Sequence, residues 1–249
     1  RIVARRYNSL CLSITRTRPR EPMTEKPTAT ATMQDYLKAL LRLEKKQSPV
    51  PTSALAEALS VSPSAVTAMS CKLHVAGLVR YAAYHGMALT DHGLGEALRV
   101  MRAHRLAEVM MVQWMGYGWE EVDEEADRLE HVLSPDFVNR LEAQLGYPKT
   151  CPHGDPIPGP NGEMPDIAEM PLASLAPGQS AVVYRVASHN PALLVHLRDL
   201  RLLPGARVAL RHVAPFDGPL TVRVDDVERS IGRAVAQSVH LHRATLEPT

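Results

Sequence analysis

Six side chains between positions 104 and 131 have the types and the spacing to hold divalent metal ions: His104, Glu108, Asp123, Asp127, Glu130 and His131. An α-helix repeats every 3.6 residues, so side chains three or four apart share a face. His104 and Glu108 are four apart, as are Asp123 and Asp127, and Asp127 precedes Glu130 and His131 by one further turn. Two helical rungs of carboxylate and imidazole result. Oxygen donors with imidazole suit Mn²⁺ or Fe²⁺ better than ions selected by thiolate. Such residues ordinarily form a solvated charged face, but Glu130 and His131 run directly into apolar Val132 and Leu133. On an earlier helix Asp35 adjoins apolar Tyr36 and Leu37. A carboxylate at a packed helix boundary costs free energy unless it is paired or coordinates a cation.

The elements that must carry these residues can be read from periodicity. Tyr36, Leu37, Leu40, Leu41 and Leu43 mark the buried stripe of a helix over Thr32 to Lys46, ended by Ser48-Pro49-Val50-Pro51. Thr52 or Ser53 is expected to cap a second helix, Ala54 to Leu59, with Glu57 as the capping partner. Ser62-Pro63 reads as an N-cap and first helical residue of a third helix, running through Val75 and stopped by Gly77. Two β-prone stretches, Leu78 to Ala83 and Met87 to Thr90, flank Tyr84-His85-Gly86 as a hairpin.

Helix, turn, helix and β-hairpin in that order make a winged helix-turn-helix, so double-stranded DNA is the expected partner. Ser62, Pro63, Ser64 and Thr67 open the second helix of the pair with small groups able to approach phosphates and base edges, and Lys72 adds charge. Leu94 to Leu145 is helical again, interrupted near Gly116-Tyr117-Gly118 and at Ser134-Pro135. Leu106, Val109, Met110, Val112 and Met115 are too many for one narrow stripe, which predicts a helix-mediated homodimer interface.

The Pro- and Gly-rich stretch Gly146 to Pro171 reads as a linker. Beyond it Ser180 to Val186, Ala206 to Val213 and Leu220 to Val224 alternate as strands, a helix fits Pro191 to Leu202, and Val239 to His242 closes a small β-barrel. The fold class is therefore mainly α with α+β parts. The expected domains are a disordered basic extension over 1–31, a winged helix-turn-helix over 32–93, a helical dimerisation and metal-binding domain over 94–150, a linker over 151–171 and an SH3-like barrel over 172–249.

Charge refines this picture. The first 22 residues hold six Arg and one Glu, a net of +5, so Met23 to Thr249 carry −4 of the chain's formal +1. A DNA-binding protein with an acidic body must gather its cations on one face or take up cations from solution. Met23-Thr24-Glu25 resembles a natural start, and the Arg-rich opening reads as an extension before it. Cys11, Cys71 and Cys151 lie far apart and suit a reducing cytoplasm rather than a disulfide scaffold. No apolar run reaches the roughly 18 to 20 residues that span a bilayer. Cys151 and His153 have no second Cys/His pair at zinc-finger spacing, so they are not read as zinc ligands. Met101, Met110, Met111 and Met115 are read as core.

Three segments resemble signatures of the diphtheria toxin repressor family: His104-Arg105-Leu106-Ala107-Glu108, Glu125 to Ser134, and Cys151-Pro152-His153-Gly154-Asp155-Pro156-Ile157-Pro158. The likeness is close over Thr32 to Gly159 and looser over the C-terminal SH3-like portion. It implies a homodimeric, metal-dependent repressor in which Mn²⁺ or Fe²⁺ orients two recognition helices for a palindromic operator. It also implies a regulatory site of Asp35, Asp127, Glu130 and His131, and a second site of His104, Glu108 and Asp123.

Iron-responsive members carry Met at the position of Asp35 and Cys at that of Asp127, so the resemblance moves the expected metal toward Mn²⁺. This chain departs in having Lys38 where manganese-responsive members without a third domain have Glu, and Asp123 where His is usual. The family's SH3-like domain supplies a carboxylate and an amide ligand, and near that place stands Ala187-Ser188-His189-Asn190. Two other readings remain at this stage. A metal-dependent hydrolase would need a general base, and no H-E-x-x-H or Ser-His-Asp arrangement supplies one. A winged-helix regulator governed by another ligand would leave the metal structural.

Overall fold

The computed structural model describes residues 29–248, so the basic opening Arg1 to Arg20 lies outside the described residues. The chain divides into two compact units at Met101/Arg102.

The first unit begins with helix α1, Ala31–Glu44, whose N-cap Thr30 accepts a hydrogen bond from the Met33 N–H. It starts one residue before the apolar periodicity does. Helix α2, Thr52–Leu59, also starts early: Thr52 is helical and Pro51 occupies the N-cap without a side-chain bond, so neither Thr52 nor Ser53 caps it. Proline's fixed φ suits that junction and explains why the hydroxyl cap is dispensable.

Ser60 turns the chain at φ 53°, and Ser62 then caps helix α3, Pro63–Val75, accepting from the Ala65 N–H at 3.2 Å. Strands β1, Val79–Ala82, and β2, Gly86–Leu89, pair antiparallel from Val79 opposite Leu89 to Ala82 opposite Gly86. Gly86 is required: at φ +86° a Cβ would lie 2.4 Å from the Val50 carbonyl oxygen, because Val50 bridges to Met87 beside it. Leu37, Leu40, Leu55, Leu73 and Met87 are fully buried in this unit's core, each stabilising it by about 1.5–3 kcal/mol.

Helix α4, Asp91–Met115, begins in the first unit and runs into the second. After the Gly116 to Gly118 break come α5, Val122–Leu129, and α6, Pro135–Gln144, the latter capped by Ser134. The expected linker contains no helix, yet Cys151, His153, Gly154 and Ile157 are buried and Cys151 N–H bonds to the Asp155 carbonyl. Strands β3, Glu169–Pro171, β4, Gln179–Val186, β5, Arg207–Val213, β6, Leu220–Val224, β7, Val227–Ile231, and β8, Val239–His242, form an antiparallel sheet in the order β3-β8-β4-β5-β6-β7. A ninth strand, β9, Glu247–Pro248, pairs with β4.

Helix α7, Pro191–Asp199, and short helix α8, Arg233–Ser238, accompany the sheet, and Leu194, Leu197, Val183, Leu210, Val222 and Leu241 fill its core. Strand β7 escaped the sequence pattern because Glu228, Arg229 and Ser230 break its apolar alternation. No helix among the described residues is long and apolar enough to cross a membrane.

Candidate metal centre

All of the ligand candidates except Asp35 lie in the second unit. His104 and Glu108 are successive inward residues of α4, and both are buried. Asp123 is in the first turn of α5, Asp127 in its last, and Glu130 is the C-cap residue. The break after α4 folds α5 back so that its carboxylates face the His104 imidazole from both edges. Nδ1 lies 2.7 Å from Glu130 Oε2 and 3.2 Å from Asp127 Oδ1, while Nε2 lies 3.3 Å from Asp123 Oδ1 and 3.6 Å from Glu108 Oε1. His131 Nε2 stands 3.5 Å from the other Glu130 oxygen.

Two groupings follow, His104 with Asp127 and Glu130, and His104 with Glu108 and Asp123, each with ligand atoms within 4.8 Å of one another. A third joins Glu108 to two residues that spacing had set aside, Cys151 and His153. His153 Nδ1 is 3.0 Å from Glu108 Oε1, and Cys151 Sγ is 4.0 Å from that nitrogen. The missing partner of the Cys/His pair was a carboxylate on α4, far away in sequence. The two-residue spacing of Cys151 and His153, two metal-ligating residue types, was the signal in the sequence that could have pointed there.

Electrostatics show what the cluster wants. Burial opposes charge on His104, but Asp123, Asp127, Glu108 and Glu130 outweigh it and hold its pKa well above the imidazole range. Burial would likewise raise Glu108, yet the imidazoles of His104 and His153 hold it well below the carboxylate range. Asp123 is depressed in the same way, against its burial, by His104 and His189. Burial and the neighbouring Glu108 and Asp155 push the Cys151 thiol up.

A proton on His104 would offset part of this negative charge. A divalent ion would do so better, because His104 Nε2 and Glu108 Oε1 are buried without an aligned hydrogen bond although they face each other. Metal bonds of about 2.1 Å at right angles place ligand atoms about 3 Å apart, the separation seen here. The residues therefore fit a metal ion. The Nε2 atom of His153 lies 2.8 Å from the Trp119 carbonyl, the outer contact that fixes the tautomer of a ligating imidazole.

The first unit carries the other predicted residues. Ser62, Pro63, Ser64 and Lys72 are exposed on α3 and its cap, whereas Thr67 is half-buried with its hydroxyl donating to the Pro63 carbonyl at 3.0 Å. The exposed stripe Ser64, Ala68, Lys72 adds Ala68, which its lack of polar atoms had hidden. Asp35 is half-buried on α1.

Comparison with known proteins matches three successive segments of the chain. Residues 28–87 match the N-terminal DNA binding domain of iron dependent repressors, and residues 90–159 their metal binding and dimerisation domain. Residues 170–243 match the FeoA domain. The iron-dependent repressor IdeR of Mycobacterium tuberculosis (strain ATCC 25618 / H37Rv) is 35% identical over 191 residues, covering 72% of this chain and 83% of its own. The chain belongs to the diphtheria toxin repressor family.

The diphtheria toxin repressor of Corynebacterium glutamicum (strain ATCC 13032) is 30% identical over 215 residues, 80% of this chain and 94% of that one. Among solved structures, a manganese-dependent transcriptional repressor in complex with manganese superposes with a TM-score of 0.78 at 33% identity, over 84% of this chain and 99% of that one. As a member of the diphtheria toxin repressor family this chain is a DNA-binding transcriptional repressor that depends on a divalent metal, not an enzyme. Its 90–159 segment is the dimerisation domain, and the C-terminal barrel is the SH3-like FeoA domain.

Proposed function

We propose that this repressor is activated by Mn²⁺, with Fe²⁺ as the secondary choice, and that it controls genes of metal-ion transport and homeostasis in the cytoplasm. The observation that carries the choice of metal is Asp127, a hard oxygen donor 3.2 Å from His104 and beside Glu130, where iron-responsive relatives by resemblance place a sulfur. Hard donors favour Mn²⁺ over softer competitors. The thiol of Cys151 belongs to a separate grouping around Glu108, so it does not soften the donor set around Asp127.

In this reading Asp127, Glu130 and His131 form the regulatory position, and the family resemblance adds Asp35 from α1. The second position uses Glu108 as a shared carboxylate, with His104 and Asp123 on one side and Cys151 and His153 on the other. The ion supplies fixed positive charge that lets the carboxylates converge. His104 bridges the two regions with one nitrogen toward each, and Glu108 stays ionised between two imidazoles. DNA contact falls to Ser62, Pro63, Ser64, Thr67 and Lys72 on a palindromic operator.

The switch requires only that metal bind the DNA-competent arrangement more tightly. Moving a population from 1:99 to 99:1 takes about 5.5 kcal/mol of differential binding. The test is operator-like duplex binding by fluorescence anisotropy after anaerobic competition between Mn²⁺ and Fe²⁺, with metal content measured on the same samples. Tight metal-free binding, or activation by Fe²⁺ while Mn²⁺ is inert, refutes the proposal.

A further inference from the structure

The FeoA domain approaches the metal-binding residues in a way the family resemblance does not supply. The resemblance gives this domain a carboxylate and an amide ligand, but its corresponding loop here offers neither. Asn190 is the N-cap of α7, its Oδ1 accepting from the Ala192 and Leu193 N–H groups. Ser188 Oγ accepts from the Asn190 N–H. What remains is His189, whose Nδ1 lies 2.7 Å from Asp123 Oδ1 and whose ring meets that of His153 edge-on at 5.9 Å.

The loop is anchored on both sides. Val186 N–H bonds to the His153 carbonyl at 2.9 Å, and Gly154 packs so close beneath β4 that a Cβ there would sit 2.2 Å from the Tyr184 oxygen. Arg198 pairs with Glu120, and Trp119 is buried in the FeoA core.

Asp123 stands where the family usually has His, and it is the more exposed member of its grouping. A short carboxylate in the first turn of a helix can rotate toward water, and an imidazole donor on one lone pair restrains it. We infer that His189 is a positioning residue, acting through Asp123: the FeoA domain shapes the second metal position by holding a carboxylate, not by donating a ligand. This rests on the metal reading above. It also makes the FeoA domain and that position mutually dependent, since coupling between sites is reciprocal.

The test uses the full chain, titrated with Mn²⁺ by calorimetry and examined by pulsed EPR for the number of imidazole nitrogens coupled to Mn²⁺. His189→Leu is expected to weaken one Mn²⁺ equivalent about 10–100-fold and leave the other unchanged. His189→Gln, which keeps a donor, is expected to recover most of that affinity with the same nitrogen count as wild type. Asp123→Ala should weaken the same equivalent, and adding His189→Leu to it should cost nothing further. Wild-type affinity in His189→Leu overturns the inference, as does a nitrogen count that falls by one in His189→Gln, which would make His189 a ligand. A wild-type protein that takes up no Mn²⁺ overturns the metal reading and this inference with it.

Discussion

Glu108→Gln is the sharpest perturbation of the metal centre, because one buried carboxylate serves two groupings. Glu108 is 1% exposed, and its Oε1 stands 3.6 Å from His104 and 3.0 Å from His153. Glutamine keeps the volume and removes the charge, so the loss falls on cation binding more than on packing. Outer contacts of a metal ligand are worth about 10–100-fold in affinity, and a direct carboxylate should exceed that, so a 100-fold loss is a floor. Wild type at a Mn²⁺ concentration 100 times its Kd gains about 2.7 kcal/mol of stability. For a unit the size of Arg102–Thr249 that is a rise in melting temperature of roughly 5–11 °C. At the same concentration a variant 100-fold weaker sits at its own Kd and gains about 0.4 kcal/mol, near 1 °C. Scanning calorimetry with and without Mn²⁺ reads the difference directly, each protein serving as its own reference. A Glu108→Gln protein that keeps the full Mn²⁺ shift refutes the placement of Glu108 in the centre.

Other outcomes follow from the same geometry. His104 and His153 both have raised pKa values, chiefly from facing carboxylates that overcome burial. Their protons stabilise the metal-free fold fully below the ordinary imidazole value of about 6.5, and that stability is lost as pH rises through the raised values. Mn²⁺ takes the same lone pairs, so its affinity should climb over that window with proton release; calorimetry in buffers of different ionisation enthalpy that shows no release contradicts this. Ser62→Ala removes the cap on Ala65 N–H and should cost about 1 kcal/mol in thermal unfolding, with weaker operator binding by anisotropy. Gly154→Ala, at φ +88° with backbone 2.2 Å from its Cβ, should destabilise the protein by roughly 2–3 kcal/mol in chemical denaturation. Trp114 and Met115, 55% and 61% exposed at the end of α4, are proposed to meet the second subunit, and Trp114→Glu should shift sedimentation toward monomer.

How much of this was legible in the sequence depended on the range of the interaction. Ser62-Pro63 announced α3 because a cap and an N1 proline act within one turn. Apolar periodicity placed α1 and most of the barrel strands, since burial of one face imposes it. Thr52 misled, because a threonine before a helix reads as a cap whether or not proline already fills that role. The candidate ligands on α4 and α5 were visible as helical spacings. The joining of Cys151 and His153 to Glu108 was not, because it is set by a loop folding across α4 rather than by any repeat. The apolar excess on α4 predicted a dimer, and the segment matches a dimerisation domain, but Leu106 and Val109 themselves are enclosed by their own unit. Composition measures how much apolar surface must be covered and is silent on what covers it.

The charge inventory then constrains how metal could act on DNA. Residues 23–249 carry −4 with histidines neutral, and the carboxylates that raise the pKa of His104 and His153 favour protons there that offset part of this charge. Two divalent ions that displace those protons bring it to zero. The net gain is at most four charges per subunit, and the body becomes neutral rather than basic. Counterion release scales with the phosphates actually neutralised by Lys and Arg, and α3 offers Lys72 alone among those residue types. Bulk neutralisation therefore cannot produce a large switch in affinity, and most of it must come from arrangement: metal selects the disposition of two recognition helices that a palindrome can meet together. The salt dependence of operator binding should accordingly have nearly the same slope with and without Mn²⁺ while the affinity itself changes by orders of magnitude. A slope that steepens in proportion to the affinity gain would mean that charge, not geometry, carries the signal.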